Sequence, residues 1–386
     1  MDRLQDRIAY FDNAATTFPK PECVYTTMDS FARDCGVSLG RGQHKLSAKA
    51  SCLADETQEM ILQLFHCTNK KTVFTNSATE ALNIILMGID IPAGSTVYIS
   101  PFEHNSVTRT LNYLQKTKGF TIEQLAVNKN GYEFDIEGIS KQFRTRKPYC
   151  VIVSHASNVT GAVAPVNEIF SQAKNYGAIT ILDMCQTAGL IDTDISSSIY
   201  DYVVFAGHKT LYGPLGISGF IAGYPERLKP VIYGGTGIES ANQDMPLTSP
   251  ERFMAGSHNT TAIAGLNAAL KWIIETGIEN IYSKEEQNTH KLIEILKEYD
   301  NIQIFEPNHR IGVVSCVFDE YTSDEIGQIL SKQNIAFRSG LQCAPYAHKF
   351  IGTFPTGTVR FSVGYFNNDA DFEMIDHVLK YIYENG

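Results

Sequence analysis

The sequence predicts an α/β protein with a mostly parallel central sheet, helices on both faces and a smaller C-terminal α+β domain. Three observations carry this. Between about residues 71 and 224, short β-rich runs that are apolar throughout alternate with helical stretches; strands buried on both faces read this way, and a parallel sheet buries both faces. From about residue 262 the pattern changes to long helical segments, AIAGLNAALKWIIETG and KEEQNTHKLIEILKEY, then a strand-like run at 311–318 and helices near 323–333 and 369–383, which suits a separate α+β unit. Finally, 386 residues exceed the size at which one core stops growing. We therefore expect a large domain over residues 13–258 and a small one formed by 1–12 and 259–386.

The expected strands lie at 72–75, 96–100, 149–154, 178–183, 202–206 and 217–222. In open α/β sheets ligands gather outside the carboxyl ends of the strands, so the residues just past each run matter most. After the first, Asn76-Ser77-Ala78-Thr79-Glu80 runs straight into ALNIILMGI. Free N–H groups and the positive end of the dipole at such a helix start favour an anion, with the Ser77 and Thr79 hydroxyls as further donors. An S/T-x-x-E capping box from Ser77 to Glu80 explains the same residues without a ligand.

The run AITILDMCQ puts Asp183 at the end of an apolar strand, where a lone charge is costly and requires a partner. A protonated ring nitrogen would be one partner; a helix N-cap or a structural arginine would be others. The 202–206 run delivers His208 and Lys209 into the Gly-rich GPLGISG. A desolvated lysine beside a cationic group has its pKa lowered and turns nucleophilic toward an aldehyde, whereas a solvated lysine would do nothing. In chain order Thr79, His104, Asn158, Asp183 and Lys209 each sit at a strand's carboxyl edge.

Composition narrows the ligand. The chain is 43% hydrophobic and 19% charged, with a net charge of -10; it is expected to fold throughout and to repel nucleic acid and anionic lipid, which favours a small-molecule ligand. The first ten residues carry Asp2, Arg3, Asp6 and Arg7 without an apolar core, and no apolar run reaches membrane-spanning length, so a cytoplasmic location is expected. Eight cysteines without a CxxC pair suggest neither a zinc site nor a disulfide framework.

With these residues assembled, the chain resembles the class V aminotransferases, in the branch of cysteine desulfurases and selenocysteine lyases. YFDNAATTFPKP, RGQHKLSAKA, FTNSATEALN, FEHNSV, SHASNVTG, LDMCQTAG, FAGHKTLYGPLGISG, YGGTGIES, ERFMAGSHN, RSGLQCAPYAHK and GTVRFSVGYFNN stand in order across the chain. The resemblance implies a fold-type I transferase that uses pyridoxal 5'-phosphate (PLP), held by Lys209 as a Schiff base. It further implies that His104 stacks on the cofactor ring, Asp183 binds the pyridine nitrogen and Gln186 bonds the phenolic oxygen. Ser77, the Ala78 N–H, Thr79 and His208 would hold the phosphate. Asn158 would lie between phenolic oxygen and substrate, and Arg360 would grip the substrate carboxylate alongside Asn13 and Ala14. Gly235 and Thr236 would reach the phosphate of a neighbouring subunit, which makes a homodimer with shared sites the expected state; a plain Gly-rich turn is the alternative there.

Cys343 separates the branches. In desulfurases the matching thiolate attacks the sulfur of L-cysteine and leaves with a persulfide for an acceptor protein; a plain aminotransferase or a selenocysteine lyase acting on another small amino acid, or a catalytically silent PLP-binding partner, would give Cys343 less to do. Two departures stand out: Ala206 replaces a Ser or Thr, removing a phosphate hydroxyl, and Gln342 replaces a histidine, removing an acid/base group expected near the thiol.

Overall fold

The computed structural model describes residues 7–40, 42 and 44–385. Residues 1–6 of the expected small domain, and Arg41 and Gln43 of the RGQHKLSAKA motif, lie outside the described residues. Among those described, the elements run β1 (Ala9–Tyr10), α1 (Glu22–Asp34), α2 (Lys45–Leu64), β2 (Lys71–Thr75), α3 (Ala78–Gly88), β3 (Thr96–Ile99), α4 (Asn105–Lys118), β4 (Thr121–Gln124), α5 (Ile136–Thr145), β5 (Pro148–Ser154), α6 (Val166–Lys174), β6 (Ile179–Asp183), β7 (Tyr202–Ala206) and β8 (Ser218–Ala222). They continue with α7 (Thr260–Thr276), α8 (Ile278–Lys297), β9 (Ile302–Ile304), β10 (Val313–Phe318), α9 (Ser323–Lys332), β11 (Ile335–Ala336), β12 (Arg338–Gly340), α10 (Pro345–Ile351), β13 (Thr358–Ser362) and α11 (Asp369–Asn385).

Seven strands form the main sheet in the order β2-β8-β7-β6-β5-β3-β4. Neighbours pair in parallel except β8, which is antiparallel to both β2 and β7. Because side chains alternate across a strand, each strand feeds two cores. Val73, Ile99, Ile152, Ile181, Val204 and Phe220 pack toward α3 and α4. Phe74, Tyr98, Val153, Leu182, Val203 and Ile221 pack on the opposite face with residues of α2, α5, α6 and α7. Both faces are dry, which is why the strands read as unbroken apolar runs. β4 escaped the sequence reading because TIEQ is a half-exposed edge strand whose polar residues face solvent.

The smaller unit holds an antiparallel sheet, β12-β13-β10-β9, and the short parallel pair β1-β11. Ala9 and Phe11 join its core with Leu292, Leu296, Val314 and Phe361. The expected break falls after residue 258, just before α7. Ile263, Leu266, Leu270 and Ile273 of α7 are buried in the large unit's core, and Ala264 packs with Phe31, Cys35 and Ala50 of the α1–α2 region. Packing changes within α8 instead: Ile281 joins the large unit's core and Leu292 the small one's. A chain reading cannot see this, since an apolar helix carries no label for the core it enters.

Candidate active site

The carboxyl ends of the main sheet open into a cavity of about 380 Å³, closed on its other side by β12, β13 and the turn before α10. Helix α3 begins at its rim. Ser77 caps it, its hydroxyl accepting the Glu80 N–H at 3.2 Å, so the capping reading holds for the serine. Glu80, however, reaches back to the N–H of Asn76 at 2.8 Å rather than to that of Ser77. The first-turn N–H groups of Ala78 and Thr79 have no helical carbonyl behind them, and both residues line the cavity.

His104 caps α4: its Nδ1 accepts the Ser106 N–H at 3.1 Å. The ring proton therefore sits on Nε2. Burial, reinforced by the nearby Lys209 charge, pushes the imidazole down to about 4, so it is neutral at physiological pH. Behind it Glu103 is fully buried and lifted to about 7 by desolvation, while accepting hydrogen bonds from the Ser100 hydroxyl and from both the N–H and hydroxyl of Ser154. Glu103 thus ties the end of β3 to the end of β5. Sequence reading missed it, although FEHNS places it one residue from His104.

Asp183 ends β6, buried, with one oxygen accepting the Cys185 N–H at 2.9 Å. It makes no ion pair among the described residues. A buried carboxylate without a cation is expensive, and this one lines the cavity. Gln186 donates to the Ala14 carbonyl at 2.9 Å, and its own Oε1 is buried without a partner. Cys185 also lines the wall, its thiol pushed well up by burial and the Asp183 charge, so it is inert.

His208 and Lys209 come after β7 on a segment clamped from beneath. The His208 carbonyl accepts the Thr17 N–H at 3.1 Å, the Thr16 hydroxyl at 2.9 Å and the Lys20 ammonium at 2.7 Å; the Lys209 carbonyl accepts the Thr17 hydroxyl at 3.0 Å. The clamp fixes the backbone and leaves the side chains to the cavity. His208 Nδ1 is buried without a partner, and burial with the charges of Lys209 and Lys20 pushes its ring down to about 3. Burial also lowers Lys20 to about 7. Lys209 Nζ makes no hydrogen bond among the described residues and lines the cavity.

The facing wall is built differently. Arg360, its side chain 2% exposed, gives Nη2 to Asp12 at 2.7 Å and Nη1 to the Asn158 carbonyl at 2.9 Å. Arg338, its direct partner across the β12-β13 pair, holds the other Asp12 oxygen at 2.8 Å. Both arginines line the cavity. Sequence reading gave Arg338 and Asp12 no role, although both stand in the family motifs; their spacing in the chain conceals the pairing. Asn158 also donates to the Gln342 carbonyl at 2.7 Å, and the Asn105 N–H to the Cys343 carbonyl at 2.7 Å. Gln342 and Cys343 both take left-handed backbone angles, φ 39° and 58°, so these two bonds hold a turn that non-glycine residues rarely adopt. Cys343 is exposed at the cavity.

The Gln342 side chain points inward, donating to the Thr358 carbonyl at 2.9 Å and meeting His348 Nε2 at 2.8 Å. A residue in this orientation anchors the turn. The Asn13 amide is engaged by Ser362 and Phe18, and Asn13 does not line the cavity, whereas Ala14 does. Gly235 and Thr236 lie away from the cavity, Thr236 on a separate cleft with Leu39, Gly40 and Met254.

No group of three or more His, Cys, Asp or Glu is placed to hold a metal among the described residues, and no helix is long and apolar enough to cross a membrane. The cavity therefore offers a buried carboxylate, an unbonded amine, neutral histidines and a helix start with open donors on one side, and two arginines and a thiol on the other.

Comparison with known proteins gives a consistent picture. The family model for aminotransferase class-V matches residues 9–375. A Pyrococcus abyssi protein named "Probable cysteine desulfurase" is 30% identical, over 98% of this chain and 94% of its own length. A Pectobacterium carotovorum protein named "Cysteine desulfurase" is 31% identical over 87% of this chain and 84% of its own. The apo structure of a cysteine desulfurase from Thermococcus onnurineus superposes with a TM-score of 0.90 at 27% identity, covering 99% of this chain and 96% of the other.

Proposed function

The chain belongs to the class-V aminotransferase family, and from that premise we propose that it is a PLP-dependent cysteine desulfurase, converting L-cysteine to L-alanine and carrying the sulfur as a persulfide on Cys343. The observation that carries this reading is the exposed Cys343 thiol on a braced turn, opening into the same cavity as Lys209.

The donor set fits PLP. A buried, unpaired Asp183 suits a protonated ring nitrogen; the buried, partnerless Nδ1 of His208 and the open start of α3 suit a phosphate, with Ser77 and Thr79 adding hydroxyls. Gln186 and Asn158 are available to the phenolic oxygen, and neutral His104 to the ring face. When bound, the cofactor supplies an imine link and an electron sink for the substrate's α-carbon.

The chain's own groups do the rest. Lys209, whose backbone is clamped and whose amine is unbonded, holds the cofactor and moves the α-proton. Arg360, with Ala14 and Asn158 beside it, receives the substrate carboxylate. The Cys343 thiolate forms a new S–S bond to the substrate sulfur as the C–S bond breaks; the electron pair of that bond stays with carbon, which takes up a proton to give alanine. Because Cys343 is exposed, the persulfide is accessible to an acceptor protein.

A homodimer completes the reading. Gly235 and Thr236 lie outside their own chain's cavity, in a stretch that exposes Tyr233 at 73% and Leu247 at 83%, and Leu215 at the cavity rim is also exposed. Exposed apolar residues in one region mark an interface, and a second copy would bring Gly235 and Thr236 to the phosphate of its neighbour.

The test is turnover. PLP-loaded protein given L-cysteine and a reductant should release sulfide and alanine in equal amounts, and neither the Cys343→Ser nor the Lys209→Ala variant should do so. Absence of sulfide from cofactor-loaded wild type would sink the desulfurase reading and direct the search to keto-acid acceptors.

A further inference from the structure

Ser218 opens β8 and is fully buried, yet its hydroxyl has no hydrogen-bond partner among the described residues. A buried hydroxyl in that state destabilises the fold unless something outside the chain completes it. Its surroundings say what that is. Ser218 stands directly opposite Ala206 on β7 and opposite Thr75 on β2. Side chains at directly opposed positions share a face of the sheet, with Cβ atoms about 5 Å apart. Ala206 lines the cavity, so the Ser218 hydroxyl is one small side chain away from it.

The Thr75 hydroxyl makes no hydrogen bond to Ser218; it donates to the Ser77 carbonyl at 2.9 Å. That bond holds the start of α3 close by, where the Ala78 and Thr79 N–H groups open into the cavity. Ala206 carries only a methyl group; a larger side chain there would screen Ser218 from the cavity. The open helix start, the partnerless His208 Nδ1 and the partnerless Ser218 hydroxyl thus belong to one end of the cavity, and all three suit an anion.

We infer that Ser218 is a further phosphate-binding residue, donating its hydroxyl from β8 in place of the one that position 206 lacks. This rests on the cofactor reading above. Ser218 acts on the phosphate and not on the aldehyde or the ring, so its effect is confined to ligands that carry a phosphate.

The experiment measures equilibrium binding of PLP and of pyridoxal, which lacks the phosphate, to the full chain stripped of cofactor. For S218A the dissociation constant for PLP should rise about 10-fold, the equivalent of one hydrogen bond to a charged group, while that for pyridoxal stays at the wild-type value. Placing A206S in the S218A background should recover PLP affinity. Without cofactor, S218A should melt at or above wild type, because the substitution removes a buried donor that had no partner. PLP binding unchanged in S218A, or equal losses for PLP and pyridoxal, would overturn the inference. If wild type itself binds PLP no better than pyridoxal, the cofactor reading falls and takes the inference with it.

Discussion

The two walls of the cavity differ in how their polar groups are satisfied. Among the described residues on the sheet side, Lys209 Nζ makes no hydrogen bond, His208 Nδ1 and Gln186 Oε1 are buried without partners, and Asp183 has no cation. On the facing side, Arg360 and Arg338 share Asp12, Gln342 meets His348 and Thr358, and Asn158 joins Arg360 to the cysteine turn; Arg360 Nε is the exception that stays open. The sheet side is complementary to a guest and is stabilised by it. The facing side is satisfied internally apart from Arg360 Nε and sets the position of a thiol. Incomplete hydrogen bonding marks the wall at which the proposed cofactor would sit, and the braced turn marks the wall that carries the thiol.

Substitutions should separate the two walls. The largest effect is expected at Lys209: Lys209→Ala should lower turnover at least about 1000-fold, while the cofactor-free melting temperature stays within about 2 °C. A large fall in melting temperature would mean that the lysine is part of the scaffold and would break the contrast. Next comes Asp12→Asn, which leaves the fully buried Arg360 without its counter-charge. Urea denaturation should show a loss of about 3 kcal/mol, with a raised KM for cysteine; a loss below about 1 kcal/mol would show that this wall does not depend on its ion pairs.

Gln342→Ala should cost about 2 kcal/mol, since His348 and the Thr358 carbonyl lose their partner in a buried setting. The same variant should lower kcat by loosening the turn under Cys343 and leave PLP affinity unchanged; a changed PLP affinity would join the walls that the comparison separates. The effect that is smallest at neutral pH emerges only in acid. His208 is held near 3 when folded against about 6.5 when unfolded, so below pH 6.5 the unfolded chain takes up a proton that the folded chain refuses. Its contribution to stability is intact above about 6.5 and is lost as pH falls toward 3. His208→Gln should flatten the acid limb of the urea midpoint by up to about one proton, and an unchanged slope would mean that the ring is charged in the folded state.

Much of this was legible in the chain because the large unit's strands carry their burial in their composition. The 202–206 run is β7 residue for residue, and Asp183, His208 and Lys209 lead from their strands into the cavity as the polar ends of apolar runs should. β4 was hidden by its exposed, polar edge, and the core that α7 enters by an apolar face that fits either one. Ala14 faces the cavity while the amide of its neighbour Asn13 bonds Ser362, 349 residues away. Nothing local could reveal that.

Sequence by itself determined the alternation of elements and the residue type standing at each strand end, because burial and helix capping act over a few residues and leave periodic traces. Tertiary structure alone decided which polar groups satisfy one another. Asp12 meets Arg338 and Arg360 across more than 320 positions, Gln342 turns inward to His348, and Ser218 comes to lie against Ala206 without a partner. Hydrogen bonds and ion pairs act over a few ångströms of space and are indifferent to separation along the chain. The division of the cavity into an open wall and a closed one therefore exists only once the chain is folded.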